Sequence, residues 1–199
     1  MPKRAAKARP LGLVTTNPGK VREFRAALRG VSIDLHQVRR PYHELQADTL
    51  EEVASFGLQD MAGEVEGDFF LEDSGLFVSG LRGFPGVYSA WAFKSVGVDG
   101  ILRLLKGAED RRATFASVVA LSWRGETHLF RGECHGRIAS GAHGHGGFGF
   151  DPIFVPVGER RTFAEMSLEE KLSHSHRGRA AQKLRAFLEH DAGGAPLRA

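Results

Sequence analysis

The sequence predicts a single mixed α/β domain, and three observations predict it. An apolar run from Leu11 to Thr16 leads through Asn17-Pro18-Gly19 into a stretch with Val21, Phe24, Ala27 and Leu28 at helical spacing. Two segments with capping-box spacing, Thr49-Leu50-Glu51-Glu52 and Ser167-Leu168-Glu169-Glu170, mark helix starts early and late in the chain. Between them, Thr114 to Trp123, Thr127 to Phe130 and Glu133 to Ile138 read as successive strands joined around Arg124-Gly125, an antiparallel portion of the sheet.

Taken in order, the first strand covers Leu11 to Thr16 and the first helix Lys20 to Leu28. The tight turn between them should offer backbone N–H groups, the positive end of a helix dipole and the Lys20 ammonium, an arrangement that suits phosphate. A strand at Ile33 to Val38 precedes a polar loop carrying Glu44, and Leu50, Val53, Leu58 and Met61 give the second helix its apolar stripe. Phe69 to Leu71 reads as a short strand ending at Glu72-Asp73-Ser74-Gly75, which would put two acids at a strand end, where open α/β sheets hold ligands. Gly83-Phe84-Pro85-Gly86 is a turn and Ser95 to Leu105 a helix. Ile153 to Val155 is a brief strand, and Ser175 could cap a last helix with Ala180, Leu184, Phe187 and Leu188 inward. With no internal repeat or long linker, residues 11–190 read as one domain, with a tail over 191–199.

A chain of 199 residues is long enough to bury a substantial core without staples. Its single cysteine, Cys134, excludes an internal disulfide framework and suits a reducing cytoplasm. No segment approaches the roughly 20 apolar residues that span a bilayer, so no membrane partner is expected. Lys3, Arg4, Lys7 and Arg9 carry more than the whole net charge of +3, so the rest of the chain is slightly acidic. Residues 1–10 therefore read as a basic, solubilising arm, and no specific nucleic-acid partner is expected.

Four segments carry chemistry. Glu72 and Asp73, with Glu44 from a separate loop, form an oxygen-ligand set for a hard cation such as Mg2+, which needs only one or two carboxylates beside water and substrate phosphates. A carboxylate beside that metal could orient or deprotonate an attacking water. Taken alone, adjacent acids at a turn more often just face solvent. Ser74-Gly75 shifts the balance, because a small hydroxyl and a glycine let phosphate approach closely. Thr15-Thr16-Asn17-Pro18-Gly19-Lys20 lacks the spacing of a Walker A loop, and a plain surface turn would account for it nearly as well. Gly147-Phe148-Gly149-Phe150-Asp151 can press a ring against a planar ligand while the acid reads its edge, and Lys171 with Ser175-His176-Arg177 adds donors. The HxH pairs at His143-His145 and His174-His176 have no CxxC or HExxH framework around them, so structural zinc is not expected. Cys134 reads as a core thiol.

Together these motifs resemble the inosine triphosphatase, or Ham1, family of non-canonical purine NTP pyrophosphatases. The resemblance rests on Thr15 to Lys20, Leu71 to Leu76, Gly83 to Ala90, Gly147 to Pro156, Phe163 to Met166 and Lys171 to Ala180. It implies an elongated mixed β-sheet with flanking helices, two lobes around a central active-site cleft, and a homodimer. It implies Mg2+-dependent cleavage of ITP, dITP and XTP between the α- and β-phosphates, giving a monophosphate and pyrophosphate. Carried over by position, Asp73 is the general base and a metal ligand, Glu44 the second metal carboxylate, and Glu72 stands where many relatives have aspartate. Thr15, Thr16, Asn17 and Lys20 would hold the triphosphate, with Ser74 in contact. Phe148 would stack on the purine within the run Phe148, Gly149, Phe150, Asp151; Lys171 would meet the nucleotide near the base, and Asp151, His176 and Arg177 would read its edge. Gly57 occupies a position where the family usually has lysine. A sensor that binds nucleotide with weakened catalysis is therefore the alternative to an enzyme.

Overall fold

The computed structural model describes residues 8–41, 43 and 45–192. Seven strands form one mixed sheet in the order β2-β1-β3-β5-β6-β7, with the two-residue β4 beside β3. The strands are β1 (Arg9–Val14), β2 (Ile33–Val38), β3 (Phe69–Val78), β4 (Pro85–Gly86), β5 (Arg112–Trp123), β6 (Glu126–Ile138) and β7 (Phe154–Pro156). The helices are α1 (Pro18–Ala27), α2 (Leu50–Met61), α3 (Ser89–Leu104), α4 (Leu168–His174) and α5 (His176–Ala192). β1 runs parallel to β2 and β3, whereas β5, β6 and β7 continue the sheet antiparallel.

Burial divides the apolar residues into three clusters. Leu11, Leu13, Phe24, Phe70, Leu121 and Leu184 pack beneath α1 and α5 on one face of the sheet. Val14, Leu50, Ala54, Leu58, Leu71 and Val118 pack beneath α2 on the other. The third gathers around the far ends of β3, β5 and β6, where Leu76, Ile101, Phe115, Ile138, Phe154 and Phe163 meet. The long strands β3, β5 and β6 thus run through two lobes, and the cleft lies where the clusters part.

Several elements differ from their sequence-based expectation for reasons of packing. β3 does not stop at Leu71; it continues to Val78, pairing with β5 from Phe69 opposite Ser122 to Val78 opposite Ala113, so Glu72 and Asp73 lie in mid-strand. β6 is one strand of 13 residues rather than two. Gly132, which reads as a break, is a contact: a Cβ there would run into the backbone of His176 and Ala180, so the glycine lets the start of α5 lie against the sheet. α3 begins at Ser89, six residues before the expected start, and carries a break at Gly97 (φ 64°, ψ −167°). The expected segment corresponds to its second half. Arg9 and Pro10, expected in the basic arm, are the first rungs of β1 opposite Ile33 and Asp34; Arg9 also pairs with Asp68 at 2.5 Å and lies over Trp123. The rest of the expected arm through Lys7, and residues 193–199, lie outside the described residues.

Candidate active site

A cavity of about 630 Å³ opens between the lobes. Its walls come from places far apart in sequence: the β1–α1 turn, the residues after β2, mid-β3, the first half of α3, Phe115 on β5, and the segment 148–151 together with the start of α5. Thr15, Thr16, Asn17, Lys20, Asp73, Ser74, Phe148, Gly149, Phe150, Asp151, His176 and Arg177, all expected in the site, line it. Glu72 and Lys171 do not, and Glu44 lies outside the described residues.

The β1–α1 turn differs in detail from the expected open cradle of amides. Asn17 is the N-cap of α1, and its Oδ1 accepts from the N–H groups of Gly19 (2.8 Å) and Lys20 (3.3 Å). Pro18 has no N–H to offer, and the Asn17 N–H donates to Thr15 Oγ1 at 3.1 Å. These amides are satisfied within the turn. What faces the cavity is therefore the side chains of the turn together with the helix dipole.

Strand alternation separates the two acids of β3. Glu72 points to the α1 and α5 face with Ser74, whereas Asp73 points to the α2 face with Leu71. The Glu72 carboxylate is wholly buried and receives Ser117 Oγ (2.5 Å), Arg177 Nη2 (3.1 Å) and Lys20 Nζ (3.0 Å). The expectation of Glu72 as a metal ligand gives way here, because both its oxygens are already committed to protein cations and a hydroxyl. Burial opposes its charge, but Arg177 and Lys20 outweigh burial and hold it far below the usual carboxylate range. Asp73 is half-buried at the cavity wall, in mid-strand rather than at the strand end expected of it.

Glu72 is one end of a buried chain of charges that the sequence did not reveal. Arg177 Nη1 donates to Glu23 Oε2 at 2.7 Å, and Nη2 donates to Ser74 Oγ at 3.0 Å besides its contact with Glu72. Lys171 Nζ donates to Glu23 Oε1 (2.7 Å) and to Asp151 Oδ2 (2.5 Å). Asp151 Oδ2 also accepts from the Phe148 N–H at 2.7 Å. Burial pushes the Asp151 carboxyl up, against the pull of Lys171, while Arg177 and Lys171 draw Glu23 down despite its burial. Lys171 thus lies behind the wall rather than on it, 4.8 Å from the centre of the Phe148 ring. Its contact is with the residues expected to touch the base, not with the space beside it. Glu23 went unnoticed because an acid on an amphipathic helix normally reads as solvent-facing; only the convergence of α1, α4 and α5 buries it.

Two polar atoms in this wall are buried without a hydrogen-bond partner among the described residues: His176 Nδ1 and Arg177 Nε. The His176 ring lies flat against Phe115, centroids 4.6 Å apart and planes 12° apart. Burial and the neighbouring Arg177 keep its pKa well below the ordinary imidazole value, so it is neutral at pH 7. Buried polar groups are almost always satisfied, and these two atoms are exceptions. Phe150 sits behind them in the third cluster, edge-on to Phe93 at 5.4 Å.

Phe93, Lys94 and Arg40 also line the cavity and carried no recognised signal in the sequence. Gly57, the departure from the resembled pattern, is on the buried side of α2 and is not among the residues lining the cavity. The Cys134 thiol is buried, which pushes its pKa up to about 11. Among the described residues, no three His, Cys, Asp or Glu side chains gather as a metal cluster, and no helix is long and apolar enough to cross a membrane.

The sequence model of the Ham1 family matches residues 11–187. A protein of Thermococcus kodakarensis named dITP/XTP pyrophosphatase is 52% identical over 181 residues, spanning 91% of this chain and 98% of its own length. One of the same name from Pyrococcus horikoshii is 48% identical over 176 residues, spanning 88% of this chain and 93% of its own length. The solved structure of the Staphylococcus aureus Ham1 protein is similar with a TM-score of 0.78 at 34% identity, across 92% of this chain and 100% of that one. A family match over nearly all of the described fold, with relatives of this identity and coverage, establishes that the chain belongs to the Ham1 family.

Proposed function

We propose that this chain hydrolyses non-canonical purine nucleoside triphosphates, ITP, dITP and XTP, to the monophosphate and pyrophosphate, removing them from the cytoplasmic nucleotide pool. The observation that carries the reading is a cavity in which Phe148, Asp151, His176 and Arg177 form one wall and Thr15, Asn17, Lys20 and Asp73 another. A 6-keto purine presents an acceptor at position 6 and a protonated N1, whereas adenine presents a donor and an acceptor. A guanidinium such as that of Arg177, which only donates, matches the keto oxygen and opposes the adenine amino group. The network of Glu23, Glu72 and Lys171 holds that donor in place before substrate arrives.

Asp73 is proposed as the general base and as a metal ligand, with Glu44 as its partner. The Asp73 carboxylate at the cavity wall suits a hard cation, since Mg2+ is commonly held by one or two carboxylates and completed by substrate phosphates and water. Bound there, Mg2+ would offset charge on the phosphates and leaving group. The Asp73 carboxylate would take the proton of a water whose oxygen attacks the α-phosphorus, and the bond from that phosphorus to the bridging oxygen would break to release pyrophosphate. Thr15, Thr16, Asn17 and Lys20 flank the phosphates, and Ser74 fixes Arg177 through its hydroxyl while facing the same space.

A homodimer is proposed on the exposed apolar side chains of the β4–α3 segment, Trp91 at 62% and Tyr88 at 43% exposure. The test of the activity is direct: in Mg2+, dITP should yield dIMP and pyrophosphate in equal amounts, and Asp73→Asn should lose most of the turnover. Release of orthophosphate, or an Asp73→Asn protein as active as the wild type, would overturn the assignment.

A further inference from the structure

We infer that Lys94, on the first half of α3, binds the phosphate chain of the substrate. This rests on the nucleoside triphosphate reading above. Lys20 is paired with Glu72, and Arg177 is shared between Glu72 and Glu23. Lys171, behind the wall, is shared between Glu23 and Asp151. Three cations therefore face three carboxylates, and the cluster brings no surplus positive charge to an incoming polyanion. Arg40, at the rim, is paired with Glu64. Lys94 is the one lysine or arginine lining the cavity that has no acidic partner among the described residues.

Its position is built rather than incidental. Ser89 Oγ donates to Gly86 O (2.7 Å) and accepts from the Leu76 N–H (2.7 Å), which pins the first turn of α3 to β3 and β4. From that anchor, Ala90, Phe93 and Lys94 follow at helical spacing, and all three line the cavity. Phe93 packs edge-on against buried Phe150, which fixes the rotation of the helix. The break at Gly97 then ends this straight segment one turn beyond Lys94. α3 thus presents the exposed Lys94 ammonium to the same cavity that the β1–α1 turn lines. An ammonium is a compact charge suited to phosphate oxygens, and its long stem keeps it solvated until a phosphate arrives.

The inference predicts that Lys94→Gln weakens Mg2+-supported binding of a non-hydrolysable dITP analogue and of inorganic tripolyphosphate by about tenfold each, as expected for losing one charged hydrogen bond. Lys94→Arg should restore most of both. Binding of inosine, which has no phosphate, should not change. Calorimetric titration of wild type and both variants with the three ligands, at low and high salt, reads this directly; the loss should shrink as salt rises. Unchanged tripolyphosphate affinity in Lys94→Gln would overturn the inference, and so would an equal loss for inosine, which would mean damage to the pocket as a whole. If the wild type binds tripolyphosphate in a Lys94-dependent way yet does not split dITP, the activity reading fails while the Lys94 assignment stands.

Discussion

Gly19 sits against the ring of Phe148: a Cβ added to Gly19 would lie 2.5 Å from Phe148 Cδ1 and 2.6 Å from Cε1. The tip of the β1–α1 turn and the aromatic wall are therefore in contact, and the absence of a side chain at residue 19 sets where the ring stands. Gly19→Ala should push the ring from its place beside Lys171 and Arg177. The expected outcome is a roughly tenfold higher KM for dITP with the protein still folded, measured by steady-state kinetics beside a melting curve. A KM within twofold of the wild type would show that the ring position does not matter to binding.

Glu23 bridges the two buried cations behind the wall, contacting Lys171 and Arg177 at 2.7 Å each. Glu23→Gln leaves both with less compensation in a dry site, a change that typically costs about 3–5 kcal/mol. For a chain of this size that corresponds to a fall in Tm of about 6–20 °C. A melting temperature within about 2 °C of the wild type would contradict the buried network as described.

His176 gives stability a pH dependence of known sign. Its folded pKa lies well below the ordinary 6.5, held down by burial and by Arg177 and opposed by Glu72. As pH falls through 6.5 the unfolded chain binds a proton that the folded chain refuses, so stability is present above 6.5 and is lost on acidification. The slope approaches about 1.4 kcal/mol per pH unit from this one group. Denaturant titrations between pH 7.5 and 5.5 should show a smaller slope for His176→Asn than for the wild type. Identical slopes would mean that His176 takes up its proton in the folded protein.

Phe148 and Asp73 should separate kinetically, since one lies at the base wall and the other on β3 at the proposed reaction centre. Phe148→Ala is expected to raise KM chiefly, and Asp73→Asn to lower kcat chiefly, with the fold retained in both. Matching losses in the same parameter would contradict this division of work.

The parts of the fold that were legible are those set by local signals. β2 has the bounds its pattern predicts, and both capping boxes close as their spacing requires. The illegible parts depend on partners distant in sequence. Glu72-Asp73-Ser74-Gly75 looks like a turn because nothing local says that Lys20, Arg177 and Ser117 will satisfy a buried acid in mid-strand. Glu23 was hidden for the same reason, and Gly132 read as a break because the helix pressing on it comes 44 residues later, at His176. In the site, residue types at short spacing pointed to most of the cavity wall. The assignment of Lys171 to the space beside the base missed that its ammonium is consumed by Glu23 and Asp151. Lys94 could not be singled out, since its significance lies in the pairing of every other cavity cation.

The wall of Phe148, Asp151, His176 and Arg177 is proposed to select 6-keto purines, and the ratio of kcat/KM for dITP to that for dATP reads that selection. Opposed polar groups at His176 and Arg177 cost about 1–3 kcal/mol each, so the ratio should be about 30 or more, measured as pyrophosphate released in Mg2+. A ratio within about threefold of unity would contradict it.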